Sequence, residues 1–142
     1  MELTLRPIGE GDLPALSALY EQLVPGGTGP DNMKKALRQL DGDCLLLGAF
    51  RGEKLVGSAC GFCCPDLTGS CRPFLAIENV VVGEDARGLG AGRLLIEGLE
   101  AFARSRDCGY MMLVSSAWRT GAHAFYRKLG FDDPAAGFRK LL

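Results

Sequence analysis

Residues 77–93 read Ile77-Glu78-Asn79-Val80-Val81-Val82-Gly83-Glu84-Asp85-Ala86-Arg87-Gly88-Leu89-Gly90-Ala91-Gly92-Arg93. An apolar strand that opens at Phe74, interrupted only by Glu78 and Asn79, runs into a loop with glycines at alternate positions. The hydrophobic period then changes. Leu94, Leu95, Leu99, Phe102 and Ala103 mark one face of a helix running to about Arg106. A glycine-rich turn between strand and helix brings free backbone N–H groups to a helix N-terminus, which holds a phosphate without many basic side chains. Gly88, Gly90 and Gly92 remove Cβ atoms where a ligand must approach the main chain. Arg87 and Arg93 add charge at the edges. The loop is not a Walker A, because no Gly-Lys-Ser/Thr follows. Nor is it a dinucleotide fingerprint, because Arg93 stands where glycine or alanine is needed.

Outward from this segment the chain reads as β, two helices, three strands, helix, β, helix and a short final β. Leu3–Arg6 alternates as a strand ended by Pro7. Asp12 is positioned to cap a helix with Leu13, Leu16, Leu19, Tyr20 and Leu23 on one face. Pro25-Gly26-Gly27-Thr28-Gly29-Pro30 breaks the chain, and Asp31 is positioned to cap a second helix bearing Met33, Leu37 and Leu40. Cys44–Phe50 and Lys54–Cys63 form a hairpin about Arg51-Gly52-Glu53. After the loop at Pro65–Pro73 come the strand Phe74–Val82 and its helix. Tyr110–Val114 is a buried strand, Thr120–Leu129 a helix with Gly130 as its C-terminal cap, and Phe138–Leu142 a closing strand.

Composition narrows the function classes. A length of 142 residues suits one domain, 1–142, with a real core. Twenty glycines are about twice the usual share of ~7%. Sixteen basic against 17 acidic residues leave no basic surplus for wrapping nucleic acid. No apolar run approaches a membrane span, and the N-terminus carries no secretory h-region. The expected compartment is the cytoplasm, with no nucleic-acid or membrane partner. Cys44, Cys60, Cys63, Cys64, Cys71 and Cys108 then read as reduced thiols. Cys60-x-x-Cys63-Cys64 invites a zinc reading, but there is no second Cys-x-x-Cys and the one histidine, His123, is far away in sequence. No metal is expected.

Three motifs in order resemble the GNAT superfamily of N-acetyltransferases, in the manner of its small single-domain bacterial members. Arg87-x-x-Gly90-x-Gly92 is similar to its acyl-CoA pyrophosphate loop. Ile77–Val82 looks like its fourth strand. Ala122-His123-Ala124-Phe125-Tyr126-Arg127-Lys128-Leu129-Gly130-Phe131 is similar to its closing signature. The match is most specific from Ile77 to Phe131. It implies a mixed α/β (α+β) fold: a central, mostly antiparallel sheet of six to seven strands, splayed between the fourth and fifth, with about four helices. Arg119 departs from the asparagine often found three residues before Ala122. Arginine there resembles branches that acetylate small amines, including aminoalkylphosphonates and aminoglycosides.

The resemblance implies transfer of an acetyl group from acetyl-CoA to the primary amine of a small molecule, directly in a ternary complex. Alternatives are a protein N-terminus or lysine as acceptor, or a non-catalytic CoA-binding sensor on the same fold. Glu78 is the candidate base, directly or through water. Simple alternation puts Phe74, Ala76, Glu78, Val80 and Val82 on one face. A carboxylate in that apolar run is expected to be partly desolvated. Tyr126 is the candidate acid, protonating the thiolate as it leaves. A backbone N–H near Val82 would polarise the carbonyl, with pantetheine between the strands Phe74–Val82 and Tyr110–Ser116. Val80, Val82, Arg87, Gly88, Leu89, Gly90, Ala91, Gly92, Arg93, Arg119 and Phe125 are the expected acetyl-CoA contacts. Cys108 ends a helix, where the dipole disfavours a thiolate, so a covalent cysteine route is set aside. The acceptor rim is expected at Pro25–Asp31, open or mobile, and at Pro65–Pro73. Arg72 and Arg119 stand either to read an acidic substrate group or to lie in solvent or against CoA. A short exposed edge suggests a homodimer.

Overall fold

The computed structural model describes residues 2–142. Five strands form one sheet in the order of the chain: β1 (Leu3–Pro7), β2 (Cys44–Arg51), β3 (Lys54–Cys64), β4 (Phe74–Val82) and β5 (Tyr110–Leu113). The first four are antiparallel neighbours, and β5 joins β4 in parallel. A parallel return needs a crossover. Helix α3 (Ala91–Ser105) supplies it and buries Leu95, Ile96, Leu99 and Ala103 against one face of the sheet. Helix α4 (Thr120–Lys128) follows β5. Helices α1 (Leu13–Leu23) and α2 (Pro30–Leu37) cover the other face, where Leu13, Leu16, Leu19 and Met33 pack with Ile8, Phe50, Leu55 and Val81.

Gly98 lies where α3 crosses the sheet. A Cβ there would come within 2.6 Å of a Leu47 methyl and 2.9 Å of a Leu5 methyl. The helix therefore sits close to β1 and β2, with the methyl ends of Leu47 and Leu5 filling the space a Cβ would take. The interior polar group Ser58 is fully buried and donates to the Leu47 carbonyl at 2.9 Å, so its burial leaves no orphan donor.

Several expectations need correction. The sheet has five strands, not six to seven. Phe138–Leu142 forms no strand; Phe138 and Leu141 are almost fully exposed. Asp12 does not cap α1. Its carboxylate accepts from Arg6 at 2.8 and 2.9 Å and from the Gly9 N–H at 2.9 Å. Helix α2 starts at Pro30, with Gly29 at the N-cap and Asp31 already inside its first turn. It ends at Leu37, leaving Leu40 outside. The glycine rim after α1 is exposed, as expected of an open rim, and carries three hydrogen bonds: Gly26 and Gly27 donate to the Glu21 carboxylate, and Ser17 donates to the Thr28 carbonyl.

Candidate active site

The register of β4 is the first determinant of the site. Cys60 lies opposite Glu78, but Ser58 lies opposite Val81. Two residues of β4, Asn79 and Val80, therefore face one residue of β3. This is a β-bulge, and Asn79 adopts φ +54°, the left-handed conformation that asparagine tolerates better than most residues. One extra residue exchanges the faces. Leu75 and Ile77 point to the α3 side before the bulge, and Val80 and Val82 do so after it. Val81 turns to the α1 side. Glu78 thus lies on the face opposite Val80 and Val82, which corrects the simple alternation. It is also exposed, so the expected desolvation by its apolar neighbours is absent.

The second determinant is the length of β5. Pairing runs from Phe74 with Tyr110 to Ile77 with Leu113 and stops there, while β4 continues to Val82. The second half of β4 has lost its neighbour, as a splay requires. Gly83 donates its N–H to the Val56 carbonyl on β3 at 2.8 Å. Successive N–H groups point to opposite sides of a strand, so the Val82 N–H is directed toward the side that β5 has left.

Beyond Val82 the chain makes a short 3-10 turn at Glu84–Ala86 and enters the glycine loop. Gly88 and Gly90 have φ +81° and +86°, conformations that a side chain would strain. Gly90 is the N-cap of α3, without a side-chain cap. The first N–H groups of any helix have no partner within it. Here Ala91, Gly92 and Arg93 present them beside the loop. Gly92 serves packing rather than conformation: a Cβ there would meet the Phe125 ring at 3.0 Å, so α4 rests on the first turn of α3. Leu89 and Arg87 are exposed. Arg93 is exposed too and pairs with Glu97 at 3.7 Å.

Helix α4 brings the remaining candidates. Tyr126 is half-buried against the α3-side cluster that includes Val80 and Val82, with its ring edge-on to Phe125 and Phe131. Burial raises its phenol above the ordinary value, partly opposed by the positive charge of Arg119. The hydroxyl is thus held protonated, the form a general acid needs. Arg119 occupies the N-cap position of α4, with its guanidinium 5.0 Å from the Trp118 ring centre. Its Nε is buried and has no hydrogen-bond partner among the described residues. His123 contacts the Ser116 carbonyl through Nε2 at 3.0 Å. Arg72 is committed elsewhere: it donates to the Asp107 carbonyl and carboxylate and to the Cys108 carbonyl, clamping the loop before β4 to the turn before β5. Burial pushes the Cys60 thiol up to about 12 and the Cys108 thiol up to about 11. Both are weakly nucleophilic at neutral pH.

The family model for the acetyltransferase (GNAT) family matches residues 14–131. The chain belongs to the GNAT acetyltransferase family. A glucosamine 6-phosphate N-acetyltransferase of Trypanosoma brucei brucei is 38% identical over 78 residues, covering 55% of this chain and 51% of that protein. A phosphinothricin N-acetyltransferase of Alcaligenes faecalis is 29% identical over 127 residues, covering 83% and 62%. The chain therefore spans about half to three fifths of these curated relatives. A solved structure from Agrobacterium tumefaciens str. C58 superposes with a TM-score of 0.88 at 32% identity, over 98% of this chain and 99% of that one. This GNAT chain departs from sequence expectation mainly at the Asn79 bulge. Its signal was the polar pair Glu78-Asn79 inside an apolar strand.

Proposed function

We propose that the protein transfers an acetyl group from acetyl-CoA to a primary amine of a small molecule, directly and without a covalent enzyme intermediate. The observation that carries this reading is that β4 outruns β5 immediately before the glycine loop. One segment thus offers a free strand edge and, a few residues on, a helix N-terminus. Acetyl-CoA fits these residues. The N–H groups of Gly88–Arg93 and the edge cations Arg87 and Arg93 suit its pyrophosphate. The orphaned Arg119 Nε is a donor awaiting an anion or carbonyl oxygen. Phe125, Val80 and Val82 supply apolar walls near the pantetheine.

The chain's own groups then divide the work. Glu78 takes a proton from the acceptor ammonium, directly or through water, leaving the nitrogen lone pair free. The Val82 N–H stabilises the oxyanion that forms as nitrogen attacks the thioester carbon. The C–N bond forms, the C–S bond breaks, the Tyr126 hydroxyl gives its proton to the departing sulfur, and the second proton shed by the acylated nitrogen passes through solvent to restore the Tyr126 phenol. Base and acid stand on opposite faces of β4. The gap left by β5 lets both faces reach the same carbonyl. Relatives named for glucosamine 6-phosphate and phosphinothricin support a small-molecule acceptor.

The test is mass spectrometry of a primary-amine panel, peptides included, incubated with acetyl-CoA. Acetylation of small amines in preference to peptides supports the reading. Peptide-only acetylation, or CoA binding without turnover, overturns it.

A further inference from the structure

The sheet face away from α3 is only half covered. Residues directly opposite in register share a face. Cys60 with Glu78, Phe62 with Ala76 and Cys64 with Phe74 align across β3 and β4; Phe74 with Tyr110 and Ala76 with Met112 align across β4 and β5. Helices α1 and α2 cover the Val81 end of this face. The other end is open, with Tyr110 53% and Met112 40% exposed. The Phe74 and Tyr110 rings lie parallel, 5° apart in plane and 5.3 Å between centres. The result is an apolar, aromatic floor of Phe62, Phe74, Tyr110 and Met112, ending at one carboxylate, Glu78. That carboxylate has no hydrogen-bond or ion-pair partner among the described residues. None of the strand positions on this floor carries a basic side chain. Arg72, the cation nearest in sequence, is held by Asp107 and Cys108.

We infer that the acceptor is a cationic primary amine on an apolar or aromatic body, such as an arylalkylamine, rather than an amine bearing phosphate or carboxylate. This rests on the transferase reading above and adds the acceptor class. The charge pattern commits the floor to this occupant. An ammonium gains from Glu78 and brings no second charge, whereas a phosphate on the same molecule would be set on apolar surface without a counter-ion, where a charge is costly. An aromatic body gains ring contact with Phe74 and Tyr110.

The experiment compares kcat/KM for phenethylamine, glucosamine 6-phosphate and 3-aminopropylphosphonate, with CoA release as readout and acetyl-CoA binding followed by calorimetry. Phenethylamine is expected to exceed both anionic amines by about tenfold or more, the size of effect one apolar contact group gives in a pocket. Tyr110→Ala is expected to raise the KM for phenethylamine about tenfold and leave the KM for acetyl-CoA unchanged. Met112→Arg, at a position 40% exposed, is expected to shift preference toward the anionic amines. Equal or better use of glucosamine 6-phosphate overturns the proposal, as does an unchanged phenethylamine KM in Tyr110→Ala. Ultracentrifugation showing a dimer that Tyr110→Ala dissociates also overturns it, since a second copy would then cover the floor. If acetyl-CoA binds but none of the three amines reacts, the acceptor class fails while the cosubstrate site stands. If acetyl-CoA does not bind, the transferase reading itself fails.

Discussion

At the residue scale, Asn79 decides the arrangement. Its left-handed backbone moves Glu78 to one face of β4 and Val80 and Val82 to the other. Apolar periodicity could not show this, because a single inserted residue leaves the composition of the strand unchanged and inverts everything beyond it. The polar pair was visible; its geometric consequence was not. Two predictions belong here. Glu78→Gln keeps size and polarity but cannot take a proton; it is expected to lower kcat and remove the acidic limb of the pH–rate profile. Tyr126→Phe removes only the proton donor, and a general acid typically contributes a hundredfold or more. A fall in kcat of about a hundredfold is expected, with acetyl-CoA affinity nearly unchanged; collapse of affinity with kcat intact would make the residue a positioning group. Tyr126 is half-buried and its phenol raised, so its contribution should persist through neutral pH.

At the element scale, the strand, glycine loop and helix were legible because each has its own period and the loop its own residue type. Gly88 and Gly90 adopt positive φ, a conformation that strains any other residue. Gly92 and Gly98 do not; they are glycines because Phe125 in one case and Leu47 and Leu5 in the other occupy the Cβ space. Such crowding depends on elements far away in sequence and leaves no local trace. Gly98 gives a stability test. Gly98→Leu forces a branched side chain into a filled space and is expected to cost about 1–3 kcal/mol. Gly98→Ala needs only small shifts of two flexible methyl ends, offset by about 0.5–1 kcal/mol of helix propensity. Thermal unfolding should therefore show a clear loss for leucine and nearly none for alanine. The closing strand was misread for a complementary reason: a few apolar residues specify a strand only where an edge receives them, and Phe138 and Leu141 stay in solvent.

At the scale of the whole molecule, the order of strands and helices through α4 came through from sequence, while the expected closing strand and the way β1 is fastened to the α1 face did not. Arg6 and the Gly9 N–H bind the Asp12 carboxylate, chiefly through the Arg6 hydrogen bonds, and hold it down at about 2. An unfolded aspartate titrates near ~3.9. Because the folded value is the lower one, the stabilisation is fully present above the unfolded value and is lost as pH falls toward 2. Asp12→Ala is expected to lower Tm by a few degrees at pH 7, and the difference from wild type should shrink between pH 4 and pH 2. A constant difference across that range would show that packing, not charge, is responsible.

In the proposed reaction acetyl-CoA lies where β4 outruns β5 and enters the glycine loop. Amide chemical shifts of the 15N-labelled protein, followed as acetyl-CoA is added, test it most directly. The largest changes are expected at Val82 and across Gly88–Arg93, with Phe125 and Tyr126 responding and Leu3–Pro7 of β1 silent. Saturable changes centred elsewhere, or no change at these amides, would contradict it.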